Sequence, residues 1–210
     1  MIPIPRPSKI VCVGRNYVAH AAELGNEVPS EPLLFLKPSS ALIGPCDAIL
    51  LPPGAGRVDY EGEIGILMGR EAFMVEEEAA WGFVAGILPV NDVTARELQR
   101  KDSQWSRAKG FDTFCPVGEP VPLDDVDLEA LSVVTRVNGE ERQRGRAAQM
   151  AFSIPFLISY VSRIMTLEAG DLLATGTPEG VGPLSAGDEV EVELPGFGSL
   201  RNPVASRGEG

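Results

Sequence analysis

The sequence predicts a β-rich α+β fold, in which short strands form a barrel or roll and a few helices lie at its periphery. Short apolar runs alternate with turns throughout the chain, which contains 23 Gly and 18 Pro. The Asn-Gly pair at 138–139, between two alternating segments, is a strong signal for a β-hairpin. One segment, 153–167, carries a long apolar stripe at helical spacing. Many strands and few helices argue against a doubly wound parallel sheet.

Strands are predicted wherever an apolar or alternating run ends at turn residues. In chain order they are 9–13, 33–37, 48–51, 57–68, 81–90, 132–137, 140–144, 171–175, 189–194 and 199–204. Helices are predicted where the apolar spacing is close to 3.6 residues. They are 17–24, 75–80, 94–100 and 153–167.

The helix ends carry local signals. Gly25 stops the first helix, and Thr94 is the expected N-cap of the third. Ser153 can cap the last helix, with Pro155 in its first turn. Segment 101–118 has no clear period and is predicted to be irregular.

The acidic composition restricts the partners of this protein. The chain has 30 acidic and 18 basic side chains, and its formal net charge is −12. Nucleic acids and anionic membrane surfaces attract clustered Lys and Arg, so we expect neither as a partner. The N-terminal segment resembles neither a signal peptide nor a membrane anchor. We therefore expect a cytoplasmic protein with a single catalytic domain, 1–205, and a flexible tail, 206–210.

The cysteines indicate no disulfide framework. Cys12, Cys46 and Cys115 are odd in number, widely spaced and outside any CxxC motif. Cys12 and Cys115 are expected to act as small apolar residues rather than nucleophiles. The sequence also lacks GxSxG, GxGxxG and Walker A motifs, so serine hydrolase and dinucleotide-binding functions have no support.

The strand 57–68 carries a pair of candidate metal ligands. Its alternation places Asp59, Glu61 and Glu63 on one face, and Gly62 removes bulk from the other. Glu61 and Glu63 can converge on a divalent ion, because hard cations such as Mg²⁺ prefer carboxylate oxygens. The alternative is a solvated edge strand with alternating charge.

Asp92 is a third candidate ligand. It ends the apolar run before the loop at 91–94, where functional groups often lie. With Glu61 and Glu63 it would form a set of three carboxylates. The alternative is that Asp92 caps the following turn or helix.

His20, the only histidine, pairs with Glu23 at spacing i, i+3, which places both on one helix face. A carboxylate beside a histidine orients the ring and raises its basicity, as a general base requires. The alternative is a surface histidine on an amphipathic turn.

Two lysines and one loop are further candidates. Lys37 and Lys109 could stabilise a developing oxyanion or could be solvated charges. The Gly-Thr-Pro-rich loop 176–182 could offer backbone N–H groups to a carboxylate.

An ordered set of motifs over nearly the whole chain resembles the fumarylacetoacetate hydrolase family, in its compact single-domain form. The motifs include GRNYVAHAAELG (14–25), VDYEGEIGILMG (58–69), NDVTARELQ (91–99), AKGFDTFCPVG (108–118) and GDLLATGTPEGVGPL (170–184). The segments PLLFLKPSSAL (32–42) and FSIPFLISYVS (152–162) extend the resemblance. It implies a mixed β-sandwich roll and a homodimer.

The resemblance also implies a site. Mg²⁺ or Mn²⁺ would be held by Glu61, Glu63 and Asp92. His20 and Glu23 would form a catalytic dyad on a short lid helix, and Lys109 would be the catalytic lysine beside the metal. The positions that match substrate-binding residues are Lys37, Gln99, Thr177, Arg15 and Tyr17.

The expected reaction is metal-dependent hydrolytic cleavage of a C–C bond in a 1,3-dicarbonyl acid, such as an acylpyruvate. The segment between Asp92 and Lys109 is closer to family members that act as hydroxyhepta-dienedioate isomerases or decarboxylases. Isomerisation of a dienedioate and decarboxylation of oxaloacetate are therefore alternatives. A non-enzymatic metal-binding interaction module is an alternative of another class.

Overall fold

A computed structural model describes residues 6–23 and 29–208. The predicted helix stop at Gly25 and the tail residues 209–210 lie outside these ranges. The side chains of residues 20–22 and 125 are not described either. The predicted domain bounds, 1–205 with a tail at 206–210, stay a prediction.

The described residues contain sixteen strands. They are β1 (Ile10–Gly14), β2 (Leu33–Lys37), β3 (Leu42–Ile43), β4 (Ile49–Leu51), β5 (Val58–Tyr60), β6 (Gly62–Met68), β7 (Val84–Asn91), β8 (Thr94–Ala95), β9 (Cys115–Pro116), β10 (Val121–Pro122), β11 (Ser132–Val137), β12 (Glu140–Arg146), β13 (Leu172–Ala174), β14 (Gly182–Pro183), β15 (Glu189–Leu194) and β16 (Gly198–Ser206).

The helices in the described ranges are few and short. The α-helices are α1 (Val18–Glu23), α2 (Arg96–Lys101), α3 (Ser106–Lys109) and α4 (Ile154–Ile164). The 3₁₀ turns are Ser39–Ala41, Glu77–Phe83, Leu123–Asp125 and Ala147–Gln149. None of these helices is long and apolar enough to cross a membrane.

The strands form open, mixed sheets. A six-stranded sheet has the order β10-β7-β6-β13-β1-β2, and a five-stranded sheet has the order β12-β11-β15-β16-β4. Smaller sheets are β14-β5-β8 and β3-β9. No sheet closes into a barrel among the described residues, so the predicted β-rich α+β sandwich roll with short peripheral helices is confirmed.

The main core lies between the two large sheets and α4. Ile64 and Ile66 from β6 face Val133 from β11 and Val192 from β15, and Leu157 from α4 completes the cluster. All five are fully buried or nearly so. Burial of each such side chain stabilises the fold by about 1.5–3 kcal/mol. This core holds β6 and β7 rigidly against the second sheet.

Two predicted elements match closely. The hairpin forms as β11 and β12, with positive φ at both Asn138 (53°) and Gly139 (81°), as a type I′ turn requires. The last predicted helix forms as α4, and the Ser153 hydroxyl oxygen accepts a hydrogen bond from the Phe156 N–H at 3.2 Å.

The predicted single strand 57–68 is wrong, because the chain changes sheets at Glu61. The Glu61 N–H donates to the Asn91 side chain at 3.0 Å, and the Gly62 N–H donates to the Gln143 side chain at 3.0 Å. Side chains thus replace strand partners at the bend. A Cβ atom on Gly62 would lie 1.9 Å from the Thr135 hydroxyl, so glycine permits this close approach.

Three other local predictions need correction. The helix expected at 75–80 is the 3₁₀ turn Glu77–Phe83, so β7 begins only at Val84. Thr94 does not cap α2: it lies in β8, and its hydroxyl donates to the Asp92 carbonyl at 2.8 Å. The segment 101–118 is not wholly irregular, because it contains α3 and β9.

Asp171, just before β13, ties together the strands of the large sheet. Its buried carboxylate accepts from the Ser8 hydroxyl at 2.8 Å, the Lys9 N–H at 3.0 Å and the Glu168 N–H at 2.8 Å. The Lys9 ammonium lies 2.5 Å away. Burial raises the pKa of Asp171, but these donors outweigh burial and the pKa lies below its usual value.

We expect Asp171→Asn to lower the free energy of unfolding by about 1.5–3 kcal/mol at pH 7, the range for hydrogen bonds to a charged group. A carboxyl whose pKa is lowered by folding stabilises the fold above its unfolded pKa. This contribution disappears as pH falls through the folded pKa. Urea denaturation of both proteins from pH 7 towards pH 3 should therefore show a shrinking difference. A pH-independent difference would contradict this role of the carboxylate charge.

Candidate active site

The antiparallel pairing of β6 and β7 brings the predicted ligands together. Gly62, at the start of β6, pairs with Asn91 at the end of β7. The neighbours Glu61 and Glu63 therefore lie beside Asp92, although about 30 residues separate them along the chain. The Asp92 N–H also donates to the Glu61 carbonyl at 2.8 Å, which holds the loop after β7 in place.

Glu61, Glu63 and Asp92 form a compact cluster of carboxylates. One ligand atom from each lies within 4.8 Å of the others, and the residues are only 5%, 1% and 1% exposed. Burial raises the pKa of Glu63 well above its usual value, and the charges of Asp92 and Glu61 raise it further. A hard divalent cation fits this arrangement, because it binds carboxylate oxygens and offsets their repulsion.

Two buried lysines lie against the cluster. The Lys109 ammonium, at the end of α3, contacts Glu61 at 2.9 Å and Asp92 at 2.5 Å. The Lys37 ammonium, at the end of β2, contacts the other oxygen of Asp92 at 2.6 Å and the Val93 carbonyl at 3.1 Å. Burial lowers the pKa of Lys109, but Asp92 and Glu61 outweigh it and the pKa lies above its usual value. Lys109 is therefore a cation at neutral pH.

Arg96, at the start of α2, is a site residue that the sequence reasoning missed. It is 3% exposed, and its Nη2 atom donates to Glu61 at 2.5 Å. Its Nε atom donates to Asp59 at 2.9 Å and its Nη1 atom to Gln99 at 2.6 Å. The sequence indicates Asp59 only as a member of the acidic strand face. Its place two residues before Glu61 was the available signal, whereas nothing local marked Arg96.

A cavity of about 320 Å³ opens over these groups. Its lining includes Glu61, Glu63, Asp92, Lys109, Arg96, Gln99, Thr177, Arg15, Arg100, Phe35 and Trp105. Phe35 and Trp105 pack edge to face with ring centroids 5.2 Å apart, and the Lys109 ammonium lies 4.8 Å from the Phe35 ring centre. The cavity thus has an acidic floor, an aromatic wall and a basic rim.

The loop that follows β13 closes another side of the site. The Gly176 N–H donates to the Glu63 carboxylate at 2.8 Å. The Thr177 hydroxyl donates to the Gly62 carbonyl at 2.9 Å and accepts from Gln143 at 2.8 Å. These bonds attach the loop to the start of β6 and orient Glu63.

The remaining predicted site residues are His20, Glu23, Lys37 and Tyr17. His20 lies in α1, but its side chain is outside the described part of the structure. Both carboxylate oxygens of Glu23 accept from the Gly180 N–H at 3.1 Å, so α1 contacts the loop of Thr177. Among the described residues, neither Lys37 nor Tyr17 lines the cavity.

Tyr17 is 2% exposed, and its hydroxyl has no hydrogen-bond partner among the described side chains and backbone. Burial raises the pKa of Tyr17, and the charge of Glu63 raises it further.

Burial also raises the pKa values of the Cys12 and Cys115 thiols. Neither thiol is therefore an activated nucleophile.

Comparison with known proteins agrees with this geometry. Mouse mitochondrial oxaloacetate tautomerase is 46% identical over 200 residues, which cover 93% of this chain and 90% of the mouse protein. A 5-carboxymethyl-2-hydroxymuconate delta-isomerase from Mycobacterium smegmatis is 46% identical with a TM-score of 0.90, covering 99% of this chain and 82% of that one.

The fumarylpyruvate hydrolase of Pseudomonas aeruginosa, crystallised with Mn²⁺ and pyruvate, is 33% identical with a TM-score of 0.90. That match covers 96% of this chain and 91% of the hydrolase. Residues 9–205 also match the family described as fumarylacetoacetate (FAA) hydrolase C-terminal. With its carboxylate cluster at the junction of β6 and β7, this chain belongs to the fumarylacetoacetate hydrolase family.

Proposed function

We propose that this protein is a divalent-metal-dependent enzyme that acts on 2-keto acids through their enolates. The observation that carries the proposal is the buried cluster of Glu61, Glu63 and Asp92, with Lys109 beside it at the floor of a cavity. Keto–enol tautomerisation of an oxaloacetate-like acid is the reaction that we place first.

The three carboxylates would hold Mg²⁺ or Mn²⁺. Three oxygen donors suit either ion and leave coordination positions for water or substrate. When bound, the ion supplies Lewis acidity towards the oxygens of a keto acid. The P. aeruginosa relative, which was crystallised with Mn²⁺ and pyruvate, supports both the metal class and the substrate class.

The residues of this chain would bind the acid and stabilise its enolate. Lys109 is a buried cation on the cavity floor, so its charge favours negative charge on an adjacent oxygen. Arg15, Gln99 and Arg100 line the cavity and could bind the far end of the substrate. Phe35 contributes to an aromatic wall that excludes water from one side. Such exclusion strengthens the charge interactions inside the site.

Lys37, Tyr17 and Thr177 act indirectly in this proposal. Lys37 holds Asp92, and Thr177 holds the loop that orients Glu63. Tyr17 immediately precedes α1 and is proposed to support the helix that carries His20.

Tautomerisation is placed first because two relatives at 46% identity are named as a tautomerase and an isomerase. Such reactions move a proton between carbon and oxygen without breaking the carbon skeleton. Hydrolytic C–C cleavage is the second candidate. It is favoured by the His20 and Glu23 spacing and by the fumarylpyruvate hydrolase relative at 33% identity.

In the hydrolytic reaction, Glu23 would orient His20, and His20 would take a proton from water. The resulting hydroxide would add to the distal carbonyl of a 1,3-dicarbonyl acid. The bond between the carbonyl carbon and the neighbouring carbon would then break. The electron pair of that bond would form an enolate, whose oxygen would lie near Lys109, and the proton held by His20 would return to the enolate carbon.

Metal removal should abolish turnover. We expect EDTA to eliminate activity on oxaloacetate or acetylpyruvate, and excess Mg²⁺ or Mn²⁺ to restore it. Glu63→Gln removes a proposed metal ligand and should raise the Kd for Mn²⁺ by more than about 100-fold. Loss of a residue that only orients a ligand typically costs about 10–100-fold. Glu193→Gln, which removes the charge of a carboxylate paired with Arg136 outside the site, is the matched control. Full activity in EDTA, with no metal left by elemental analysis, would refute the proposal.

Lys109→Met should lower kcat by about 10²–10³-fold, the range for loss of one oxyanion-stabilising group. Because the ammonium no longer repels a divalent ion, Mn²⁺ binding should be unchanged or tighter. Steady-state kinetics and isothermal titration calorimetry measure the two effects. Lys101→Met, an exposed lysine at the end of α2, is the control. Parallel loss of turnover and of Mn²⁺ binding would contradict an enolate-stabilising role.

His20→Ala tests the hydrolytic candidate. It should lower acetylpyruvate hydrolysis by about 10²–10⁴-fold, because a positioned general base is lost. Pyruvate and acetate release and the decay of the oxaloacetate enol measure the two activities. Val18→Ala, an exposed residue of the same helix, is the control. Tautomerisation without cleavage by the wild-type protein would select the first candidate, and CO₂ release from oxaloacetate would indicate decarboxylation instead.

A further inference from the structure

The charged side chains of the site form a continuous alternating chain. Every link is an ion pair: Arg57–Asp59 at 2.6 Å, Asp59–Arg96 at 2.9 Å, Arg96–Glu61 at 2.5 Å, Glu61–Lys109 at 2.9 Å, Lys109–Asp92 at 2.5 Å and Asp92–Lys37 at 2.6 Å. Glu61 and Asp92 are proposed metal ligands, whereas Asp59 is separated from them by one arginine. The chain therefore extends beyond the proposed ligands on the side of Asp59.

Asp59 is more than the partner of a surface arginine. It is fully buried, whereas the Arg57 side chain is 46% exposed. Its second carboxylate oxygen is bound by the Nε atom of Arg96, which is itself buried. A buried carboxylate and a buried guanidinium fix each other's orientation, because leaving either one unpaired would leave a buried charge without a partner. The better-buried partner, Arg96, is the one that reaches Glu61.

The register between β5 and β8 places Arg96 against Asp59. In the small sheet Asp59 pairs with Thr94, and Val58 pairs with Ala95, so Arg96 follows directly beside β5. The Arg96 N–H also donates to the Arg57 carbonyl at 2.8 Å. Asp59 and Glu61 lie two residues apart, so one planar guanidinium can bridge both carboxylates.

We propose that Asp59 is a positioning residue that sets the metal affinity of Glu61 by holding and neutralising Arg96. Arg96 restrains one oxygen of Glu61 at 2.5 Å, and Asp59 restrains Arg96. The Asp59 charge also offsets the guanidinium charge, which would otherwise oppose a divalent cation. Loss of the Asp59 carboxylate therefore weakens metal binding in two ways that act in the same direction.

This inference rests on the metal site of the proposed function, but not on the reaction catalysed there. The test measures Mn²⁺ binding to the full-length protein by the loss of the free Mn²⁺ signal in electron paramagnetic resonance. Asp59→Asn keeps the side-chain shape and removes the charge. We expect it to raise the Kd for Mn²⁺ by about 10–100-fold, the usual effect of an outer-shell partner.

A double-mutant cycle with Arg96→Gln tests the route of the effect. In the Arg96→Gln background, Asp59→Asn should change the Kd by less than about threefold, because the group through which Asp59 acts is gone. Asp171→Asn is the matched control: it removes another buried, ion-paired aspartate that has no contact with the site. It should lower stability and leave Mn²⁺ binding unchanged.

The outcomes separate this inference from the proposed function. No Mn²⁺ binding by the wild-type protein would overturn both. Wild-type binding with an unchanged Kd in Asp59→Asn, or equal effects of this change in both backgrounds, would overturn only the role of Asp59. If Asp59→Asn does not fold, Asp59→Glu retains the charge but shifts the carboxylate by one methylene group. It should still raise the Kd, and an unchanged Kd would refute the proposal.

Discussion

The buried carboxylates of Glu61, Glu63 and Asp92 impose the constraint on which the rest of the site depends. Three such groups within 4.8 Å repel one another and lose hydration. Neighbouring cations offset this repulsion: Lys109 and Lys37 bind Asp92, and Arg96 binds Glu61. A divalent ion is the remaining kind of partner that would bind all three carboxylates at once.

The constraint also explains the shape of the backbone. If one continuous strand ran through Glu61, β5 and β6 would belong to the same sheet. Instead, the chain passes at Glu61 from the small sheet into the large one. The bend is possible because Asn91 and Gln143 supply the hydrogen bonds that strand partners would otherwise provide. Polar side chains near the site thus stabilise the backbone at this bend.

Family membership and reaction are determined by different parts of the molecule. The cluster at the start of β6 and the end of β7 is the feature expected of any member that binds a divalent ion. The relatives with this fold nevertheless include a tautomerase, an isomerase and a hydrolase. Under the proposed function, the choice among such reactions would depend on groups away from the three carboxylates, such as the rim of the cavity and helix α1.

The local sequence alone determined the hairpin at Asn138 and Gly139 and the capped helix α4. These features depend on residues close together in the chain, where backbone preference and alternation act directly. The motif resemblance, which covers nearly the whole chain, supplied the family, assigned roles to candidates such as Asp92 and Lys109, and added Gln99, Arg15 and Tyr17.

Only the tertiary structure revealed Arg96 and its partner Asp59. Their contact depends on the register between β5 and β8, and pairing between distant strands leaves no local pattern in the sequence. Long-range strand pairing also explains why Lys37, at the end of β2, contacts Asp92. Local sequence could identify charged residues suited to chemistry, but long-range strand pairing decided which of them meet and which charge each one neutralises.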